Sequence, residues 1–137
     1  MHVRDGMSSM VLTVGPDHTL RHVAKLMAER RVGAAVVLDP EAAGPGIITE
    51  RDILDAVGRD QDVDQECVCE HLTPDIVVAS EDWSLEQAAS EMVRRGFRHL
   101  VVVDQTEIVG VLSMRDIVRC WTTDGAVSEL DGAPSAA

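Results

Sequence analysis

The chain has 137 residues, 45% of them hydrophobic, which is enough to bury one core, while either half alone would be marginal by surface-to-volume scaling. Its formal net charge of −12 argues against nucleic acid or an anionic membrane as the main partner, and an aromatic content of 2% leaves no base-stacking platform. No positively charged start runs into a long apolar stretch, and no run approaches the ~18 apolar residues of a membrane span, so a cytoplasmic location is expected. Cys67, Cys69 and Cys120 are an odd number in a chain large enough to fold without staples, and reduced thiols are expected.

Residues 1–10 read as an irregular lead-in. Val11-Leu-Thr-Val14 is a β-branched run closed by Gly15-Pro16 and predicts a strand. Leu20, Val23, Ala24 and Met27 form an i, i+3, i+4, i+7 stripe with Thr19 as N-cap and Arg30 and Arg31 in the last turn, so a helix follows. The unbroken apolar run from Ala34 to Leu38 predicts a strand buried on both faces. Pro40 to Pro45 is a hairpin loop, Gly46 to Thr49 a strand, and Glu50 to Val57 a helix ended by Gly58; the acidic stretch from Asp60 to Glu66 reads as a linker.

The second half repeats this order. Ile76 to Ala79 predicts a strand, and Ser84 with Gln87 makes a capping box ahead of the Leu85, Ala88, Ala89, Met92 stripe. His99 to Asp104 and Glu107 to Ser113 are the next strands, and Met114 to Trp121 is the closing helix. An offset of 65 pairs Val3 with Val68, Leu20 with Leu85, Met27 with Met92 and Asp39 with Asp104; an offset of 64 then pairs Gly46-Ile-Ile-Thr-Glu-Arg-Asp52 with Gly110-Val-Leu-Ser-Met-Arg-Asp116. A unit of this length occurring only twice points to two related halves packed on each other rather than a solenoid.

The twofold β-α-β-β-α order, the apolar strands ending in Asp39 and Asp104, and the doubled Gly-x-x-[Ser/Thr]-x-x-Asp phrase resemble the CBS-domain family, specifically a stand-alone tandem pair, the Bateman module. The resemblance implies an α+β fold of two pseudo-symmetric repeats packed through their sheets. Residues 1–62 would be the first repeat with its linker, 63–123 the second, and 124–137 a disordered tail.

Spacing alone leaves Thr49 with Asp52 and Ser113 with Asp116 open to two readings. The pattern is a helix N-terminal signature, with the hydroxyl capping an amide and the carboxylate reaching back. It also suits a ligand, because free amides at a strand end receive an anion and a carboxylate accepts both hydrogen bonds of a ribose diol. The resemblance implies the second role: Asp52 and Asp116 on the ribose of an adenosyl ligand in the cleft between the halves, Thr49 and Ser113 near sugar or phosphate, and Arg98 and His99 toward phosphate. Arg51 and Arg115 flank the aspartates and are counted with them as candidate ligand-binding residues, beside the plainer expectation of a surface salt bridge. Val77 and Ile47 would line an adenine slot. Gly33 and Ala34 stand where the second half has Arg98 and His99, so one strong and one weaker ligand position are expected.

The implied ligands are AMP, ADP, ATP, S-adenosylmethionine or NAD(H), with no required cofactor. A homodimer acting on a protein partner in trans is the implied output, and the alternatives are a ligand-free dimeric scaffold or a redox or metal sensor. Cys67, Cys69 and His71 would present three potential metal ligands, but C-x-C is tighter than common zinc pairs and no fourth ligand is evident, so no metal site is assigned. With no nucleophile elbow, P-loop, Rossmann glycine pattern or HExxH, no enzymatic activity is expected.

Overall fold

Two hydroxyl side chains start the two longest helices. Thr19 Oγ1 accepts the His22 N–H (3.1 Å) ahead of α2 (Leu20–Arg30), counting the short α1 (Val3–Gly6) first, and Ser84 Oγ accepts the Gln87 N–H (3.0 Å) ahead of α4 (Leu85–Arg95). Each then buries the apolar stripe read from its sequence: Leu20, Val23 and Met27 on α2, and Leu85, Ala88 and Met92 on α4. Both end on a left-handed residue at equivalent positions, Arg31 (φ 55°) and Gly96 (φ 71°).

The computed structural model describes residues 1–74 and 76–125. In the first repeat, β1 (Thr13–Val14) pairs parallel with β2 (Ala34–Val37), which pairs antiparallel with β3 (Gly46–Thr49), and α3 (Glu50–Gly58) follows. In the second, β4 (Val78–Ser80) pairs parallel with β5 (His99–Asp104), which pairs antiparallel with β6 (Glu107–Ser113), and α5 (Met114–Cys120) runs on through a wider π turn, Trp121–Gly125. This is the α+β class and the doubled element order expected from the sequence. The outer parallel strands differ from the expected ranges, because pairing sets them: β1 is confined to Thr13 and Val14 opposite Val36 and Val37, and β4 starts at Val78, opposite Val101, rather than at Ile76. The expected tail from 124 on lies, beyond Gly125, outside the described residues.

The chain divides into two compact units that do not coincide with the repeats: Val11–Ile76 is one, and Met1–Met10 with the chain from Val77 onward is the other. The start of the chain is therefore not an irregular lead-in. The Asp5 carboxylate accepts the His2 N–H (2.8 Å) and sets the turn of α1. The Val3 N–H donates to the Trp83 carbonyl (2.8 Å), and the Val3 side chain is fully buried among Leu85, Leu112 and Ile117. Removing that side chain from water stabilises by about 2 kcal/mol.

The other unit is closed in the same way by the lead-in of the second repeat. Val68, the counterpart of Val3, is fully buried with Leu20, Val23 and Ile48, and its N–H donates to the His18 carbonyl (2.8 Å). Each repeat's lead-in thus completes the other repeat's core. Arg21 of α2 also pairs with Asp64 of the linker, one of its bonds being 3.2 Å. Among the described residues, no helix is long and apolar enough to cross a membrane.

Candidate functional site

At the junction of β6 and α5 the capping box is complete: the Ser113 N–H donates to Asp116 Oδ2 (2.8 Å), and the Asp116 N–H donates to Ser113 Oγ (3.0 Å). The Asp116 side chain is 15% exposed, and its other oxygen lies 3.1 Å from Arg119 Nη2. That guanidinium also donates to the Gly6 carbonyl (3.4 Å), which fastens α1 to α5. A carboxylate offers about four lone-pair sites, so these contacts orient Asp116 and leave capacity for a diol. Beside it, the Arg98 carbonyl accepts the Met114 N–H (2.8 Å) and His99 sits opposite Ser113 in the β5–β6 register.

The first repeat builds the same corner with different chemistry. The Thr49 N–H and hydroxyl both donate to Asp52 Oδ2, at 2.8 and 3.1 Å. The Gly33 carbonyl accepts the Glu50 N–H (2.9 Å) as Arg98 accepts that of Met114. A β-carbon on Gly33 would lie 2.7 Å from Glu50 Oε2, so the Glu50 carboxylate covers the place where the Arg98 equivalent would begin. Asp55 stands where the second repeat has Arg119.

The glycine opening each phrase answers to a neighbour. Ser8 and Val111 exchange both backbone hydrogen bonds (2.9 and 3.0 Å), as do Thr73 and Ile47 (2.8 and 3.0 Å). These pairings bring the lead-in segments against Gly110 and Gly46, where a β-carbon would meet the Ser8 carbonyl at 2.8 Å and the Thr73 carbonyl at 3.1 Å. The lead-in therefore forms one edge of each corner.

The family model for the CBS domain matches this chain twice, over residues 2–59 and 68–122. The chain belongs to the CBS-domain family. Among relatives, the CBS domain-containing protein YhcV of Bacillus subtilis is 35% identical over 132 residues, covering 93% of this chain and 91% of that protein. Two solved structures are similar at a TM-score of 0.78: a CBS-domain containing protein from Agrobacterium tumefaciens, at 30% identity over 86% of this chain and 91% of that one, and a CBS domain protein from Pyrobaculum aerophilum complexed with AMP, at 29% identity over 97% and 100%.

Of the residues singled out from the sequence, the second CBS repeat gathers Arg98, His99, Ser113, Arg115 and Asp116 at one corner, and the first gathers Thr49, Arg51 and Asp52 at the other. Val77 packs half-buried against the core of the second repeat, while Ile47 is buried in the first. The salt bridges expected of Arg51 and Arg115 are not what holds the aspartates. Asp116 is met by Arg119, one helical turn on, because i and i+3 share a face whereas i and i−1 do not. Among the described residues, Arg51, Arg98 and Arg115 are exposed with no ion-pair partner. Sequence reasoning missed Arg119, Glu50 and Ser8; the i+3 spacing from Asp116 was the available signal for the first.

A 3-10 turn over Val68–Glu70 folds C-x-C back on itself and brings Cys67 and Cys69 side by side, with the Cα atoms 5.4 Å apart. The donor atoms that come within 4.8 Å of one another are those of Cys67, Cys69 and Glu70 rather than of His71, whose Nε2 lies 3.0 Å from Glu66.

Proposed function

We propose that this CBS pair is a regulatory module that binds an adenosyl compound and acts on a protein partner by binding rather than by catalysis. The observation that carries the reading is the Asp116 carboxylate, held by its own cap and by Arg119 at the end of β6, with Arg98 and His99 beside it. The AMP in the Pyrobaculum aerophilum relative supports the ligand class. In this reading Asp116 and Asp52 accept the ribose hydroxyls, Ser113 and Thr49 stand near the sugar, and Arg98 with His99, aided by Arg115, meets phosphate; Arg51 holds the place of Arg115 at the first-repeat site. Val77 and Ile47, each in its own unit, supply apolar wall for the base. AMP, ADP, ATP, S-adenosylmethionine and NAD(H) all present the adenosine this chemistry reads.

Binding would act by population shift, limited to the difference in ligand affinity between the two states. Dimerisation through helix faces is part of the proposal: Leu54 and Val57 on α3, and Val118 on α5 with Trp121 just beyond it, are large apolar side chains left exposed in the single chain.

Thermal unfolding against millimolar AMP, ADP, ATP, S-adenosylmethionine and NAD(H) tests the reading. A ligand at 100 times its dissociation constant adds about 2.7 kcal/mol, several degrees for a chain this size. A shift for one ligand, lost in Asp116→Ala, is expected. Flat curves across the panel, with protein shown free of carried-over nucleotide, would favour a ligand-free dimeric scaffold.

A further inference from the structure

The two repeats carry opposite charge at the same place. Met114 bonds to the Arg98 carbonyl at 2.8 Å and Glu50 to the Gly33 carbonyl at 2.9 Å, so these pairs are geometric equivalents, each joining the start of a helix to the start of a strand. One pair is a cation with a thioether. The other is a bare backbone with a carboxylate, whose oxygens would lie 2.7 and 3.2 Å from a β-carbon on Gly33. With Asp55 in place of Arg119, the first repeat has two negative charges over three positions where the second has two positive ones.

We infer that the two sites take different classes of adenosyl ligand: the Arg98 site one that bears a phosphate, and the Gly33 site one that is neutral or cationic at its 5′ end, with Glu50 as the residue that turns phosphate away. The inference rests on the proposed grip of Asp52 and Asp116 on ribose. A sugar held alike by either aspartate directs its 5′ carbon toward the equivalent pair. At Arg98 a phosphate gains a charge-assisted partner. At Gly33 it meets the Glu50 carboxylate across a backbone that has no side chain to hold the two apart, and like charges sharing a site disfavour each other. An uncharged 5′ group escapes this repulsion and a cationic one is attracted, which is selectivity through a repulsive element.

Backbone amide NMR of the full chain reads the sites separately, Gly33 and Thr49 reporting one and Arg98 and Ser113 the other. AMP and adenosine are titrated into wild type, Glu50→Gln, and Glu50→Met, which copies the second repeat. In wild type, AMP is expected to fill the Arg98 site before the Gly33 site. In both variants its affinity at the Gly33 site rises about three- to tenfold, while adenosine there and AMP at Arg98 stay unchanged. AMP binding at Gly33 that is unaltered in both variants overturns the role of Glu50 and leaves the ribose reading standing. If neither compound shifts either pair of reporters in any of the three proteins, the ribose reading falls and this inference with it.

Discussion

The carbonyl oxygen of Ser8 lies where a β-carbon on Gly110 would stand only 2.8 Å from it, an approach held by the two backbone hydrogen bonds that Ser8 exchanges with Val111. A backbone atom cannot swing aside as a flexible side chain can. Gly110→Ala is therefore expected to lower stability by about 1–3 kcal/mol, the usual range for overpacking. Gly46→Ala, facing the Thr73 carbonyl at 3.1 Å, should cost less. Urea unfolding of both variants checks the order, and an unchanged midpoint for Gly110→Ala would count against the close approach.

Val3→Ala should destabilise by about 2 kcal/mol although it sits at the start of the chain, because Val3 is fully buried among Leu85, Leu112 and Ile117. The loss should be local to one unit. Native-state hydrogen exchange is expected to quicken from Val77 to Cys120 and to stay as in wild type from Val11 to Pro74. Quickening confined to the latter stretch would show that the lead-in packs elsewhere.

Arg31 and Gly96 end equivalent helices in the same left-handed conformation, yet only one is a glycine. Arg31→Gly should raise stability by about 1 kcal/mol, and Gly96→Ala should lower it by a similar amount. Thermal midpoints that move the opposite way would exclude strain at Arg31.

The Arg21 guanidinium, hydrogen-bonded to Asp64, holds that carboxyl below its ordinary value of 3.8. A depressed carboxyl contributes stability above its unfolded value and loses it as pH falls through the folded one. The stability difference between wild type and Asp64→Asn should accordingly be present at neutral pH and shrink below about pH 4. Chemical denaturation at several pH values measures it, and a difference independent of pH would mean that the pair does not couple to folding.

Leu54 is 69% exposed on α3. Leu54→Glu should weaken self-association tenfold or more if that face is a dimer core, since charge is excluded from such cores. Sedimentation at micromolar protein reads the change, and a dimer of unaltered strength would place the contact on another face.

The helices were legible because their signals are local. The Thr19 and Ser84 caps and the apolar stripes behind them lie within a few residues, and the doubled phrase exposed the repeat. Less legible was what depends on pairing: β1 and β4 cover only the residues that pair with β2 and β5, and Cys67 meets Cys69 through the 3-10 turn between them. At the site, the capping geometry of Ser113 and Asp116 and the i+3 spacing of Arg119 could be read from the sequence, whereas the Arg119 contact to Gly6 needed α1 in place.

By itself the sequence determined the class, the twofold plan, and the capping pattern of each phrase, because residue types at helical and strand periods dictate which faces are apolar and where helices start. It could not determine which repeat each lead-in joins. Val3 and Val68 are equivalent in the repeat, and either could in principle fill its own half or the other. Tertiary structure decided that each completes the opposite core, because backbone pairings of Ser8 with Val111 and Thr73 with Ile47 bind segments far apart in the chain. The same choice put a lead-in backbone against each phrase glycine, a difference in space that no local pattern encodes.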